Sequence, residues 1–338
     1  MTTNAKQKPQ VSIIVPCYNE RWTIQPLLSA LYNQSHPHTD MEVVIADGGS
    51  KDGTLEAIAE WQSSHPDLPV TIVENSAHTI PAALNAAIAA SCGAIIVRLD
   101  AHSKPQQDYV ERAVLALNEG RGENVGGVWD IQPGGENWIA RSIAAAAGHP
   151  IGVGDARYRF TEQAGYVDTV PFGSFKRELI DRIGMFDETL LTNEDYEFNA
   201  RVMQSGGKVW LDPRIRSEYF ARSSLKTLAR QYWRYGYWKR QMLRRYPETL
   251  RWRQALPPVF VAGLIVLGLA SPFFWLARWT LLSVIGLYGF VLLAAGIQLA
   301  AKKKDLAMIA GVPLAIATMH FAWGTGFLWS LVSPPKSE

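Results

Sequence analysis

Acidic side chains occur in short clusters that could bind a polar ligand and accept a proton. Asp47 and Asp100 each follow an apolar run, and Glu194 and Asp195 are adjacent. Neighbouring carboxylates repel each other, which can raise the pKa of one of them and suit it to act as a base near neutral pH. The pair could instead simply open a helix, because acidic side chains favour a helix N-terminus.

Alternating strands and helices are predicted to position these clusters. Short β-branched runs and helical spacing predict strands at 11–15, 41–46, 70–73 and 94–99, and helices at 22–33, 54–63 and 80–90. This alternation predicts an α/β fold with a doubly wound, mostly parallel sheet. Ligands of such sheets bind beyond the carboxyl ends of the strands, where Glu20, Asp47 and Asp100 fall.

The pattern is less regular beyond residue 120. It predicts strands at 125–131, 166–172 and 208–211, and helices at 139–147, 176–183 and 195–205. Cys17 and Cys92 fit no metal-binding spacing and are interpreted as free thiols in a reducing compartment. The first ten residues lack the apolar centre of a signal peptide, so the N-terminal domain is expected to stay in the cytosol.

Charge is distributed unevenly along the 338 residues, although the formal net charge is only +2. Ten of the 33 residues at 222–254 are Arg or Lys, seven are Tyr or Trp, and Glu248 is the only acid. Basic helices rich in Trp and Tyr suit the surface of an anionic membrane. A solvated basic face or a nucleic-acid patch is the alternative. The apolar runs that follow favour the membrane and argue against a nucleic-acid partner.

Three long uncharged runs follow the basic segment, at about 256–276, 279–301 and 306–332. Each is long enough to cross about 30 Å of hydrocarbon, so three transmembrane helices are predicted. The basic segment and the bases at 302–304 belong on the cytosolic side by the positive-inside rule. With three spans, the C-terminus is then expected on the outside.

Five motifs occur in the order and spacing of one enzyme family. They are Pro16-Cys-Tyr-Asn-Glu20, Asp47-Gly-Gly-Ser-Lys-Asp-Gly-Thr54, Asp100-Ala-His102, Asn193-Glu-Asp195 and Gln231-Tyr-Trp-Arg-Tyr235. Together they resemble the inverting glycosyltransferases of family 2, which implies a Rossmann-like GT-A nucleotide-sugar domain. The run from His320 to Trp329 also resembles the membrane glucosyltransferases of succinoglycan biosynthesis, of the ExoA type.

The resemblance implies a UDP-sugar donor site near the first two motifs. Asp47 would accept a hydrogen bond from the uracil, Glu20 would accept from the ribose hydroxyls, and Pro16 and Tyr18 belong to the same donor motif. The glycines after Asp47 let the backbone approach a ligand closely. Asp47 could also be a plain turn residue, and Asp52 a helix N-cap.

The third motif implies a divalent metal that bears part of the charge on the leaving diphosphate. The family usually has Asp-x-Asp at this position, whereas this chain has Asp100 and His102. Imidazole suits Mn²⁺ better than Mg²⁺, which prefers oxygen ligands, so Mn²⁺ is favoured. Arg98 lies two residues earlier and could bind the diphosphate or form a salt bridge with a neighbouring carboxylate.

The last two motifs imply the base and contacts to the diphosphate and acceptor. Asp195 matches the family's catalytic base, and Glu194 stands beside it. Gln231 and Arg234 match the Gln-x-x-Arg-Trp motif, in which Tyr235 replaces the Trp. Arg234 could instead bind a lipid head group. The loops at 139–160 and 172–175 are interpreted as bordering the acceptor, with His149 and Asp155 either contacting it or lying on the surface.

The domain prediction is a cytosolic GT-A domain at 1–221, basic interfacial helices at 222–255 and a transmembrane domain at 256–338. The resemblance implies transfer of a hexose, most simply glucose from UDP-glucose, to a saccharide on undecaprenyl diphosphate with a β linkage. Exopolysaccharide synthesis at a bacterial inner membrane is the implied setting. A processive polysaccharide synthase and a non-enzymatic scaffold or transporter are the alternatives. The oligomeric state stays open.

Overall fold

The computed structural model describes residues 9–333, which form nine strands and twelve α-helices. The strands are β1 (Val11–Cys17), β2 (Met41–Asp47), β3 (Val70–Glu74), β4 (Ile95–Arg98), β5 (Lys104–Pro105), β6 (Asn124–Gln132), β7 (Gly165–Tyr166), β8 (Ser174–Lys176) and β9 (Val209–Phe220). The helices are α1 (Ile24–Tyr32), α2 (Thr54–Ser64), α3 (Ile80–Ala90), α4 (Tyr109–Asn118), α5 (Trp138–Ala147), α6 (Pro150–Val153), α7 (Glu178–Ile183), α8 (Glu194–Gln204), α9 (Leu225–Leu243), α10 (Trp252–Ala270), α11 (Trp275–Lys303) and α12 (Met308–Val332).

The chain divides into two compact units, and the first contains the sheet. This unit runs to Asp130 and continues over Thr161–Tyr219. The strand order is β3-β2-β1-β4-β8-β6-β9-β5, with β7 also paired to β9. The four strands β3, β2, β1 and β4 are parallel, while β8 is antiparallel to both β4 and β6. The α/β prediction is confirmed, with the parallel part confined to these four strands.

The apolar patterns explain the parallel half of the sheet. Both faces of β1 and β2 are covered, which fits their near-continuous apolar sequences. On α1, the residues Ile24, Leu27 and Leu28 recur at helical spacing and are fully buried. Burial of each such side chain contributes roughly 1.5–3 kcal/mol to the hydrophobic free energy of folding. Because β1 is parallel to both β2 and β4, the carboxyl ends of the three strands lie at one edge of the sheet, as predicted.

The strand predicted at 166–172 is wrong. Only residue 166 of this segment lies in a strand, the two-residue β7 (Gly165–Tyr166). The chain leaves extended geometry at Phe172, whose φ is +50°. Two residues later, the segment Ser174–Lys176 enters the sheet as β8 between β4 and β6. Its partners lie far away in sequence, so a local apolar pattern did not reveal it.

The second unit comprises Ile131–Phe160 and the chain from Phe220 onward. In it, α12 packs along α9 and also contacts α5, α6, α10 and α11. The sequence placed residues 131–160 with the N-terminal domain, whereas the structure packs them against the C-terminal helices. Three helices, α10, α11 and α12, are long and apolar enough to cross a membrane.

Candidate active site

Asp47 ends β2 and organises the turn that follows it. Its carboxylate accepts hydrogen bonds from the backbone N–H groups of Gly49 and Ser50, both at 2.9 Å, and from the Ser50 hydroxyl at 2.6 Å. Gly49 has φ +78°, which favours glycine. The turn role considered for Asp47 is thus observed. A carboxylate offers about four acceptor positions, so this geometry leaves room for Asp47 to accept one more hydrogen bond, from the uracil of a donor.

The loop after β1 lies beside this turn. The Gly48 N–H donates to the Cys17 carbonyl at 2.8 Å, and a Cβ on Gly48 would lie 3.3 Å from the Tyr18 ring. Tyr18 is 60% exposed, so its ring offers an open face next to Asp47. Pro16 pairs with Ala46 inside the sheet. The structure therefore brings the donor motif residues to one loop pair, and their contact with a donor stays a prediction.

Glu20 and His102 join the loop after β1 to the loop after β4. The Glu20 Oε1 and His102 Nδ1 atoms are 3.0 Å apart, and the Thr23 hydroxyl also donates to the Glu20 carboxylate. Burial tends to raise the pKa of Glu20, but the hydrogen bonds from His102 and Thr23 outweigh it and lower this pKa. His102 is thus placed next to a ribose-binding candidate as well as two residues from Asp100.

The predicted metal pair does not form a protein cage. Across residues 9–333 the structure has no group of three or more His, Cys, Asp or Glu side chains that could hold a metal. Asp100 lies 3.3 Å from the Arg98 guanidinium, and His102 faces Glu20. Any metal here would depend on ligand oxygens for the rest of its coordination.

Arg98 connects β4 to the first turn of α8. Its guanidinium contacts three carboxylates: Asp100 at 3.3 Å, Glu194 at 2.9 Å and Asp195 at a shorter distance. The Arg98 side chain is only 3% exposed, so these contacts replace water. The salt bridge considered from the sequence is therefore present, and it joins residues from three motifs. The three carboxylates raise the pKa of Arg98 even though burial opposes this.

Asp195 is held where its proton is retained more tightly than usual. Burial raises its pKa to about 7, helped by repulsion from Glu194 and Asp100, while the Arg98 charge opposes the rise. A quarter of the Asp195 side chain remains exposed, so it can still be approached. A carboxylate with a pKa near neutrality suits a general base.

The first turn of α8 is fixed by a buried ion pair that the motif analysis missed. Glu197 is 1% exposed and accepts from Arg201, one helical turn later, at 2.5 Å. Arg201 also donates to the backbone carbonyls of Ile183, Gly184 and Met185. The i,i+4 spacing of Glu197 and Arg201 in the sequence could have predicted this ion pair on one helix face. These contacts anchor the helix that carries Glu194 and Asp195.

Phe172 lies against Arg98 on the side of the predicted acceptor loop. The Phe172 ring centroid is 5.9 Å from the guanidinium carbon of Arg98. The backbone N–H of Arg98 donates to the Gly173 carbonyl at 3.2 Å. The buried hydroxyl of Tyr109 donates to the Phe172 carbonyl at 3.2 Å. Tyr109 was not singled out from the sequence. It supports a loop whose residue 172 has an uncommon positive φ.

The remaining candidates lie in the second unit. Gln231 donates to the Tyr235 hydroxyl at 2.9 Å, so the Tyr in place of Trp makes a contact within α9. Arg234 is exposed on the same helix. The predicted contacts of Gln231 and Arg234 with a diphosphate stay predictions. His149 caps α6, and Asp155 pairs with Arg253.

Comparison with known proteins gives this arrangement a family. A family model described as glycosyl transferase family 2 matches residues 12–184, about half of the chain and the region that holds the first three motifs. The chain belongs to glycosyl transferase family 2. It is therefore a transferase, and the resemblance drawn from the five motifs is confirmed.

Two curated relatives match this chain over nearly its whole length. One, from Methanococcus voltae, is a dolichyl N-acetyl-alpha-D-glucosaminyl phosphate 3-beta-D-2,3-diacetamido-2,3-dideoxy-beta-D-glucuronosyltransferase, 27% identical over 95% of this chain and 97% of the relative. The other is the succinoglycan biosynthesis protein ExoA of Rhizobium meliloti (strain 1021), 27% identical over 93% of each chain.

A solved structure supports the fold. The mannosyltransferase PcManGT from Pyrobaculum calidifontis, solved with GDP-Man and Mn²⁺, has a TM-score of 0.61, 22% identity, and covers 93% of this chain and 87% of its own. The predicted GT-A fold is confirmed for this family 2 member.

Proposed function

We propose that this protein transfers a hexose from a UDP-sugar to a lipid-diphosphate-linked saccharide, with inversion at the anomeric carbon. The carrying observation is the Arg98 cluster, in which Asp195 has a pKa of about 7 and remains a quarter exposed. Inverting transfer in one step needs one base, and Asp195 is the candidate with suitable acidity and access.

In the proposed reaction, the acceptor hydroxyl oxygen attacks the anomeric carbon of the bound donor. Asp195 takes the hydroxyl proton as the new glycosidic bond forms and the bond to the nucleoside diphosphate breaks. Glu194 and Arg98 orient this carboxylate through their shared contacts. Asp47, Tyr18 and Glu20 bind the nucleoside, with Pro16 shaping the loop from within the sheet.

We further propose that Asp100 and His102 hold a divalent metal together with the donor. These two side chains fit a divalent metal. One carboxylate and one imidazole supply two ligands, and sites of this kind draw the others from substrate phosphates. The metal would offset negative charge on the diphosphate when bound. The imidazole favours Mn²⁺, and the structurally similar mannosyltransferase from Pyrobaculum calidifontis was solved with Mn²⁺.

The relatives support the proposed acceptor and setting. The Methanococcus voltae enzyme is named for a dolichyl phosphate-linked sugar, which favours a lipid-linked acceptor here. The Rhizobium meliloti relative is named for succinoglycan biosynthesis, which favours an exopolysaccharide product. For a bacterial chain the lipid would be undecaprenyl diphosphate. We place the catalytic unit, which runs to Asp130 and continues over Thr161–Tyr219, on the cytosolic side of the inner membrane, with 222–255 at the membrane surface and apolar helices beyond.

The test is a panel of sugar nucleotides incubated with membranes that contain the protein and lipid-linked saccharides, with products identified by mass. We expect one hexose to be added from UDP-glucose. A ladder of polymer would favour a processive synthase instead, and no lipid-soluble product from any donor would contradict the proposal.

The Asp195→Asn variant tests the base in the same assay. We expect kcat to fall by roughly 10²–10⁴-fold, the usual contribution of a general base. Asp181→Asn changes an exposed acid on α7 and is the matched control, for which activity should be unchanged. Full activity of Asp195→Asn would remove Asp195 from the mechanism.

A further inference from the structure

The backbones of α9 and α12 touch at a crossing made of glycines. A Cβ built on Gly236 of α9 would lie 2.2 Å from the Trp323 carbonyl oxygen of α12. In the other direction, a Cβ on Gly326 of α12 would lie 2.2 Å from the Trp233 carbonyl oxygen of α9. Such contact is possible only between small residues, so the two helices lie at the same depth wherever they cross.

The depth of α9 is limited by its charge. Five of its nineteen residues are Lys or Arg and none is acidic, and Lys226, Arg230 and Arg234 are exposed. Each such charge costs roughly 2.5–3.5 kcal/mol at the centre of a bilayer. Only four residues separate the end of β9 from the start of this helix. It therefore belongs among the lipid head groups on the side of the catalytic domain.

Ion pairs lie beside α12 at its start and next to a residue that α12 contacts near its middle. Arg141 of α5 pairs at 2.9 Å with Asp305, just before α12 begins. Near the middle of α12, the Trp323 indole donates to the Gln254 carbonyl at 3.0 Å. The residue before Gln254 is Arg253, which forms an ion pair with Asp155. An ion pair inside hydrocarbon would be costly, so this stretch also lies near water.

A membrane-crossing α12 conflicts with these positions. From Met308 to Trp323 a helix rises about 22 Å, at about 1.5 Å per residue. If α12 crossed the membrane from the basic residues 302–304, its contact with α9 would lie most of the way through a hydrocarbon core of about 30 Å. The basic α9 would have to follow it to that depth.

The side chains of α10 and α11 show a different environment. In its most apolar stretch, α12 has 44% of residues buried inside the protein, against 17% for each of α10 and α11. Large apolar side chains project from these two helices with most of their surface exposed, including Val266, Leu269, Trp275, Leu287 and Phe290. Lipid chains are the solvent that such a surface requires.

We propose that only the part of the α10–α11 hairpin beyond Phe260 and Tyr288, which contact Phe321 of α12, enters the hydrocarbon, and that α12 lies along the cytosolic membrane surface beside α9. Ser333 is then on the same side of the membrane as α9. This revises the expectation of three spans with the C-terminus outside. It rests on the proposed membrane location, and the bilayer is the partner of the α10–α11 surface.

Cysteine labelling with a membrane-impermeant maleimide tests the proposal in the full-length protein. The parent is Cys92→Ser, because Cys92 is exposed, whereas Cys17 is buried with its pKa raised to about 12. We expect Ser333→Cys to react in inverted membrane vesicles and not in spheroplasts. Lys303→Cys is the reference for the inner face.

Phe273→Cys, in the turn between α10 and α11, is the matched control and should be protected in inverted vesicles. Reaction of Ser333→Cys only in spheroplasts would overturn the proposal and restore three spans, while the membrane location would stand. Reaction from neither side would place residue 333 in hydrocarbon and would also overturn it. Recovery of the protein in the soluble fraction would instead refute the membrane location itself.

Discussion

The Arg98 side chain balances three carboxylates with one positive charge in a place from which water is largely excluded. Burial, together with repulsion from Glu194 and Asp100, outweighs the Arg98 charge and raises the pKa of Asp195 to about 7. A protonated Asp195 cannot accept the acceptor's proton. We therefore expect kcat/KM to rise about tenfold per pH unit below pH 7 and to level off above it, in a pH–rate profile of the wild type.

Changing Arg98 should move this profile in a known direction. Arg98→Met removes the one charge that lowers the pKa of Asp195, so the midpoint should shift to higher pH, whereas Arg98→Lys should keep it near 7. Arg112→Met, which breaks an ion pair with Asp108 whose side chains are about a third exposed, is the control and should leave the midpoint unchanged. An unshifted midpoint in a folded Arg98→Met protein would show that a group other than Asp195 determines the rise of kcat/KM with pH.

His102 is where this chain departs from the usual acidic pair, and it is the residue that should set the metal preference. His102→Asp replaces a nitrogen ligand by oxygen, which Mg²⁺ prefers, so the ratio of Mg²⁺-supported to Mn²⁺-supported activity should increase. The measurement is activity in a metal series after chelation. His102→Ala should weaken activation by both metals alike. A ratio that stays constant in His102→Asp would exclude His102 as a ligand.

At the scale of elements, the α9–α12 crossing should tolerate no added side chain. Gly236→Ala would push a Cβ into the Trp323 carbonyl oxygen, so the helices must separate, at a cost of roughly 1–3 kcal/mol. Gly263→Ala, in α10, meets no atom within 4 Å and should instead stabilise its helix by up to about 1 kcal/mol. Thermal unfolding of the purified proteins in one detergent compares the two. Equal Tm values would contradict the close contact.

The sequence predicted those elements whose own residues carry a regular apolar pattern. The strands β1 and β2 are nearly continuous apolar runs, and α1 has apolar residues at helical spacing. In contrast, β8 owes its place to β4 and β6, and its residues carry no period of their own. The crossing of α9 and α12 also depended on distant glycines. Nothing local marks Gly236 and Gly326 as neighbours.

The site shows the same limit. Motif order pointed to Asp100, Glu194 and Asp195, but not to the fact that Arg98 contacts all three. Arg98 and Asp195 are 97 positions apart, and only the fold joins them. Tyr109 was missed for a similar reason, since its hydroxyl donates to a backbone carbonyl 63 positions away. The turn around Asp47, which is local, was correctly anticipated as an alternative.

At the scale of the molecule, the net charge of +2 conceals a basic segment that should respond to membrane charge. Each Lys or Arg near an anionic surface contributes about 1 kcal/mol, and salt screens this attraction. We expect the activity of the reconstituted wild type to increase with the fraction of anionic lipid, and this gain to diminish as salt rises from about 0.05 M to about 0.5 M. Substituting Lys226→Gln and Arg230→Gln together should reduce the gain, because about 2 kcal/mol of attraction is lost.

The matched control changes two exposed bases of the first unit, Lys176→Gln and Arg182→Gln, which alters the net charge equally. If the attraction belongs to α9, this control responds to anionic lipid as the wild type does, and only the α9 variant loses the response. An equal loss in both proteins would mean that the total charge of the molecule matters rather than the position of its basic helix. In that case the placement of α9 among the head groups, and with it the depth inferred for α12, would lose its support.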